Sequence, residues 1–302
     1  MGPSLFLRLL FIGFPLVAMT GCGMIKTKAI GMVAGTLASG GDVFTRDDDP
    51  ELVGDAIPFA LKLYESLLES VPRNVDLLVA TCSAATQYGY AYVQTEAEII
   101  EAKDYEQAKH LRGRALKLFH RGKNYCFRGL EVRFPGSTQR LIEDPGPAVA
   151  RAQKKDVPLL YWSAASWGAA IGLDTNLAID LPAVRALAER ALALDESWNK
   201  GALHEIMISL ESQDTAVGGS EERARAHFKR AVELQKGLSP GPYVGLAMGV
   251  SVAKQDRAEF ERLMKDALAI DPEKDPSNRL VILITQRRAR ALVDRIDTLF
   301  AK

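Results

Sequence analysis

The sequence predicts an all-α fold, an array of helix pairs carried behind an N-terminal tether. Three observations predict it. Apolar residues recur at spacings of three and four from residue 50 onward, with no sustained period-two alternation that would mark a strand. Three segments of the C-terminal half end alike at regular intervals. The first fifty residues have a composition unlike the rest: apolar, then glycine-rich, then acidic at Asp47-Asp48-Asp49.

Residues 1–21 read as an export signal. Arg8 is their one charge, residues 9–19 form an apolar run, and Thr20-Gly21-Cys22 supplies small residues before a cysteine. The run is too short to span a bilayer, which takes about 20 residues. Met19-Thr20-Gly21-Cys22 resembles the bacterial lipobox, which implies a diacylglycerol on the Cys22 sulfur and cleavage before it. An ordinary secretory signal and an uncleaved anchor are the alternatives; myristoylation at Gly2 is disfavoured because Phe6 stands where Ser or Thr is wanted. Acyl chains, at about 0.8 kcal/mol per buried methylene, would hold the chain to a membrane. Gly23 rather than Asp follows the cysteine, which points to the outer membrane, facing the periplasm. Residues 22–49 are then a lipidated tether and 50–302 the helical domain.

Within that domain, residues 50–133 form an N-terminal helical half. Pro50 opens a helix with Leu52, Ala56, Phe59, Leu63 and Leu67 as its apolar stripe, and Pro72 ends it. Asn74 is an N-cap for a second helix through Leu77, Leu78, Ala85, Tyr88 and Tyr92. A third runs from about Asp104 to Arg133, with Ala108, Leu111, Ala115, Leu118, Gly122, Cys126 and Leu130 on one face. Antiparallel packing about a turn near 101–104 brings Cys82 and Cys126 to within roughly one helical turn. We read them as buried thiols acting as small hydrophobes. A disulfide is the alternative, less favoured because its Cα separation must fall in a narrow window.

Residues 134–155, with Pro135, Gly136, Pro145, Gly146 and Pro147, are a turn-rich connector. The repeat half follows at 156–302. Arg190-Ala191-Leu192-Ala193-Leu194-Asp195, Arg230-Ala231-Val232-Glu233-Leu234 and Asp266-Ala267-Leu268-Ala269-Ile270-Asp271-Pro272 align on alanines separated by 40 and 36 residues. Between them, Ser209 to Asp214 parallels Ser251 to Asp256. A helix pair recurring at this period resembles the tetratricopeptide repeat, of roughly 34 residues. A generic bundle is the alternative.

Composition and motifs exclude several functions. Without Arg8 the exported chain carries 37 basic and 38 acidic residues, a balance that argues against nucleic acid. No phosphate-binding loop, dinucleotide fingerprint or hydrolase elbow is present. His204-Glu205 opens like a zinc-protease motif, but Ile208 replaces the second ligand. His110, His120 and His227 have no visible partner and read, like His204, as structural or surface residues. No catalytic residue, metal site or cofactor is expected.

The unusual segment is residues 159–170, apolar around its whole circumference and therefore buried on all sides. Its small residues set off Tyr161, Trp162 and Trp167. A second group is Tyr88, Tyr90 and Tyr92, of which Tyr88 and Tyr92 share a helix face. Tyr88, Tyr92, Tyr161, Trp162 and Trp167 are candidates to line a cavity or channel for an organic ligand; aromatic core packing is the alternative.

Six stretches, in order, carry a family resemblance: Asp47-Asp48-Asp49-Pro50-Glu51-Leu52-Val53, Ala56-Ile57-Pro58-Phe59-Ala60-Leu61-Lys62, Pro158-Leu159-Leu160-Tyr161-Trp162, Ala202-Leu203-His204-Glu205, Gly241-Pro242-Tyr243-Val244 and Gln286-Arg287-Arg288-Ala289. Together they resemble the tetratricopeptide-like lipoprotein T component of TRAP transporter systems. The resemblance implies an all-helical, nonenzymatic periplasmic lipoprotein. It also implies pairing with a TRAP substrate-binding protein, and a hydrophobic channel that hands an organic ligand to that partner. It names no channel residues and leaves homo-oligomers open. A generic tetratricopeptide scaffold for envelope assembly is the competing reading.

Overall fold

The computed structural model describes residues 41–301, and among them only helices and turns occur. The signal, Cys22 and most of the tether lie outside the described residues. In chain order the helices are α1 (Gly41–Thr45), α2 (Pro50–Ser70), α3 (Val75–Tyr88), α4 (Thr95–Ile100), α5 (Tyr105–Arg133), α6 (Ser137–Glu143) and α7 (Pro145–Val149). They continue as α8 (Val157–Leu173), α9 (Leu181–Leu194), α10 (Ala202–Glu211), α11 (Glu221–Leu234), α12 (Gly241–Leu246), α13 (Arg257–Leu268) and α14 (Arg279–Asp294). Two π-helical stretches interrupt the α geometry: Gly89–Gln94 joins α3 to α4, and Ala247–Ser251 extends α12.

The long helices start where side chains satisfy their free N–H groups. Asp49 accepts from the N–H groups of Glu51 and Leu52, Asn74 from Leu77, Asp104 from Gln107, and Asp256 from Glu259. Each such cap contributes about 1 kcal/mol. The connector is not bare turn, since α6 and α7 occupy much of it, the latter opening on Pro145.

The stripe read for α2 differs from the face it buries. Val53, Leu61 and Leu68 are buried, while Leu52 is 59% and Phe59 74% exposed. α2 is an outer helix that packs on α3 and, near its start, on α14. Only a narrow strip of it is covered, and that strip lies one position round from the row that spacing alone selects.

α3, α5 and α8 form the core of the first half. Small residues let them meet: a Cβ on Gly122 would stand 2.6 Å from Thr86 Oγ1, and one on Gly129 2.9 Å from a Leu159 methyl. Cys82 and Cys126 face each other there with Cα atoms 5.5 Å apart and are joined in a disulfide. This corrects the reading of two free thiols. The glycine beside Cys126 on the α5 face draws the helices close enough for the bond, and sequence spacing does not report that approach.

In the second half α8 pairs with α9, α10 with α11, and α12 with α13. Ala191, Ala231 and Ala267, the aligned alanines, are each fully buried. Their side chains leave no bulk where neighbouring helices touch. The last helix, α14, packs on α12 and α13 and also returns to α1, α2 and α4. The array therefore closes into a ring. Its seam is charged: Arg287 reaches Glu96 at 2.6 Å, Arg288 grips Glu98 through two bonds of 2.7 and 3.3 Å, and Arg295 reaches Glu101 at 3.1 Å.

The disulfide closes a loop of 44 residues in sequence separation. Its reduction is expected to cost about 2–4 kcal/mol of stability. Denaturant unfolding with and without reductant measures this, and the Cys82→Ser/Cys126→Ser double variant should lose all sensitivity to reductant.

Candidate functional site

The candidate site draws its side chains from four parts of the ring. Tyr90 comes from the first π-helical stretch, Tyr161 from α8, Glu205 from α10 and Arg288 from α14. Tyr90 is 42% exposed, and desolvation by the surrounding protein is the main cause raising the pKa of its hydroxyl. Charge on Glu205 adds to the upward shift of both the Tyr90 and the Tyr161 hydroxyl. The Tyr161 hydroxyl is likewise held up by burial, then by Glu205 and Tyr90.

The polar groups of this site are unequally partnered. Arg288 donates to the Tyr90 hydroxyl at 2.5 Å as well as to Glu98. Glu205 Oε1 accepts from Gln235 Nε2 at 2.6 Å. Burial raises the Glu205 pKa, with the Gln235 bond acting in the opposite direction. Gln235 is 8% exposed, and its Oε1 has no hydrogen-bond partner. A Cβ on Gly241 would stand 2.1 Å from Glu205 Oε2, so only glycine at the start of α12 admits this carboxyl where it lies.

Tyr161 sits edge-on to Trp162 with centroids 4.9 Å apart and tilted against Trp198 at 4.6 Å. All three rings are partly accessible. Trp167, one turn further along α8, is 1% exposed; it meets Phe127 edge-on at 4.9 Å and donates to Asp180 at 3.0 Å. Tyr88 and Tyr92 stack on each other at 5.8 Å. Tyr88 accepts from Arg114, while the Tyr92 ring lies against Gly54. Burial, then Asp47, pushes the unpartnered Tyr92 hydroxyl up to about 12. These two tyrosines thus stand toward α2 and α5, apart from Tyr161 and Trp162.

Sequence reasoning missed Tyr90, Glu205, Gln235, Arg288 and Trp198 as members of one site. The signal for Tyr90 was hidden by the π-helical stretch, which breaks the α-helical phase on which face assignments rest. The other four were embedded in stretches quoted for the family resemblance or in helix endings. Gln286, beside Arg288, donates to the carbonyls of Ala267, Leu268 and Ile270 and so ties the end of α13 to α14.

The histidines are structural, as their reading has it, but the structure supplies the partners that the sequence does not show. His204 and His227 do have partners: their Nδ1 atoms lie 2.8 Å apart between α10 and α11, and His204 Nε2 lies 3.4 Å from Glu196. At that separation one Nδ1 carries the proton and the other accepts it. Burial holds both pKa values below 6.5.

Fold and site together define an all-α ring of tetratricopeptide-like helix pairs that carries an aromatic and polar group of side chains. Among the described residues no helix is long and apolar enough to cross a membrane. Residues 46–300 match the TRAP transporter T-component family, and the chain belongs to it. It is also 31% identical over 267 residues to an uncharacterized protein of Treponema pallidum (strain Nichols), a match covering 85% of this chain and 82% of that one.

The histidine pair sets a pH dependence. Because the folded pKa values are depressed, the unfolded chain takes up protons first, so the pair's contribution is present above about pH 6.5 and lost as pH falls. Glu205, with a raised folded pKa, acts with the opposite sign, losing its contribution as pH rises above 4.5. Chemical unfolding at pH 7.5 and 5.5 should show a smaller loss on acidification in His227→Gln than in the parent. Equal losses would count against the pairing.

Proposed function

We propose that this chain is the periplasmic, lipid-anchored accessory component of a TRAP-type uptake system. It is tethered through Cys22, preferentially at the outer membrane, and works by binding rather than by catalysis. Its partner is a periplasmic substrate-binding protein, and its lumen holds or passes an organic ligand bound for that partner. The observation that carries this reading is the return of α14 to α4, which brings Arg288 onto Glu98 and Tyr90 and closes the array of helices that carry Tyr161 and Glu205. Family membership supports the transport system. The Cys82–Cys126 disulfide suits an oxidising envelope compartment. Of the aromatic candidates, Tyr161 and Trp162 are the lumen contacts on this reading, with Tyr90 added; Trp167, Tyr88 and Tyr92 support the wall.

The partner is tested by crosslinking in intact cells and affinity purification. A TRAP substrate-binding protein should be recovered with the parent chain. Cys22→Ala should move the protein from the detergent phase to the aqueous phase in phase-separation extraction. Recovery of envelope-assembly proteins without a binding protein would favour the scaffold reading instead. Within the lumen, Trp162→Ala should weaken binding of a neutral aromatic probe such as benzyl alcohol. Trp167→Ala should instead lower stability by about 3–5 kcal/mol, the cost of truncating a buried ring. Calorimetric titration and denaturant unfolding separate the two.

A further inference from the structure

The lumen cluster lacks one positive charge. Arg288 is fully answered by Glu98 through two bonds, with Tyr90 accepting a third. Glu205 has no cation among its partners, only the Gln235 amide on one oxygen. Its second oxygen accepts nothing from the protein. The nearby Gln235 Oε1 is a second acceptor without a donor. The Tyr161 hydroxyl, on which the Glu205 charge also acts, is held up chiefly by burial. Unanswered hydrogen-bonding capacity at this place is thus mostly acceptor capacity.

The surroundings are aromatic. Tyr161 is backed by Trp162 and Trp198, and rings of this kind attract organic cations through their negative faces. A lone carboxyl removed from water is costly to ionise unless a cation joins it. Burial holds the Glu205 carboxyl above the usual carboxylate range, with only the Gln235 bond opposing it.

We propose that the lumen takes the ammonium group of an organic amine, with Glu205 as its counter-ion, Tyr161 and Gln235 as hydrogen-bond acceptors, and the Tyr161 and Trp198 rings against its apolar part. This rests on the reading of the lumen as a ligand site and narrows its ligand to a class. Gly241 serves the same end, since any side chain there would push the Glu205 carboxylate aside.

Three probes of one size and shape test this: benzylammonium, benzyl alcohol and benzoate, titrated calorimetrically into the full lipid-anchored chain in a nonionic detergent. Benzylammonium should bind about tenfold tighter than benzyl alcohol, the gain expected from cation–ring attraction and a desolvated ion pair. Benzoate should bind most weakly. In Glu205→Gln, which preserves the shape of the side chain, the ratio of benzylammonium to benzyl alcohol affinity should fall to about one. Benzoate binding as tightly as benzylammonium, or an undiminished ratio in Glu205→Gln, would overturn the proposal. Equal binding of the amine and the alcohol by the parent chain would sink the amine assignment while leaving the ligand lumen in place. If none of the three binds, both readings fall.

Discussion

Closure of the ring by α14 on α4 is the constraint on which the rest depends. An open array of helix pairs has a concave face but no interior. Here Arg288 holds Glu98 in bidentate fashion and also reaches Tyr90, so one side chain both shuts the seam and orders the lumen wall. Arg287 and Arg295 flank it on Glu96 and Glu101, at more exposed positions. The exposed pairs contribute little energy by themselves. The half-sequestered Arg288–Glu98 pair matters more, because removing either member would strand a charge in a poorly solvated place. Gln286 adds a neutral clamp from the same helix to the end of α13. Three consecutive side chains of α14 therefore tie together both ends of the ring.

Inside that frame, two packing regimes meet. The first half is drawn tight by Gly122 and Gly129 and then locked by the Cys82–Cys126 bond. The second half is spaced by buried alanines and braced by shared carboxylates: Glu211 takes Arg185 and Arg223, and Glu259 takes Arg225. The lumen lies where the regimes join. Tyr161 comes from the tight half, Glu205 from the spaced half, and Tyr90 from a stretch where α geometry itself yields to a π-bulge. Such bulges are found often at functional positions, because the extra residue turns side chains off the helical phase.

Much of the fold was legible in the chain. Asn74, Asp104 and Pro50 mark helix starts, and the aligned alanines mark the buried ends of three repeats, because capping and close packing are local demands on residue type. The stripe of α2 was misread because periodicity identifies an apolar flank but not which neighbour covers it. Part of the site was legible too. Tyr161 and Trp162 stand out because rings among Ala, Ser and Gly have nothing of equal size beside them. Glu205 appeared only as half of a metal motif, and its neighbours Gln235 and Gly241 lie 30 and 36 residues further on. The His204–His227 contact had no local trace at all, since 23 residues and a turn separate its members.

What the sequence by itself determined is everything that depends on neighbours along the chain: the helices and their caps, the repeat period and the near-zero charge. What only the tertiary structure decided is everything that depends on return of the chain to itself. Whether two cysteines meet, whether the last helix finds the fourth, and whether a glutamate in α10 faces a tyrosine in α8 are set by small accumulated rotations between successive helix pairs. No single residue encodes such a rotation. It emerges from packing summed round the ring, and the ring closes because that sum brings α14 back to α4.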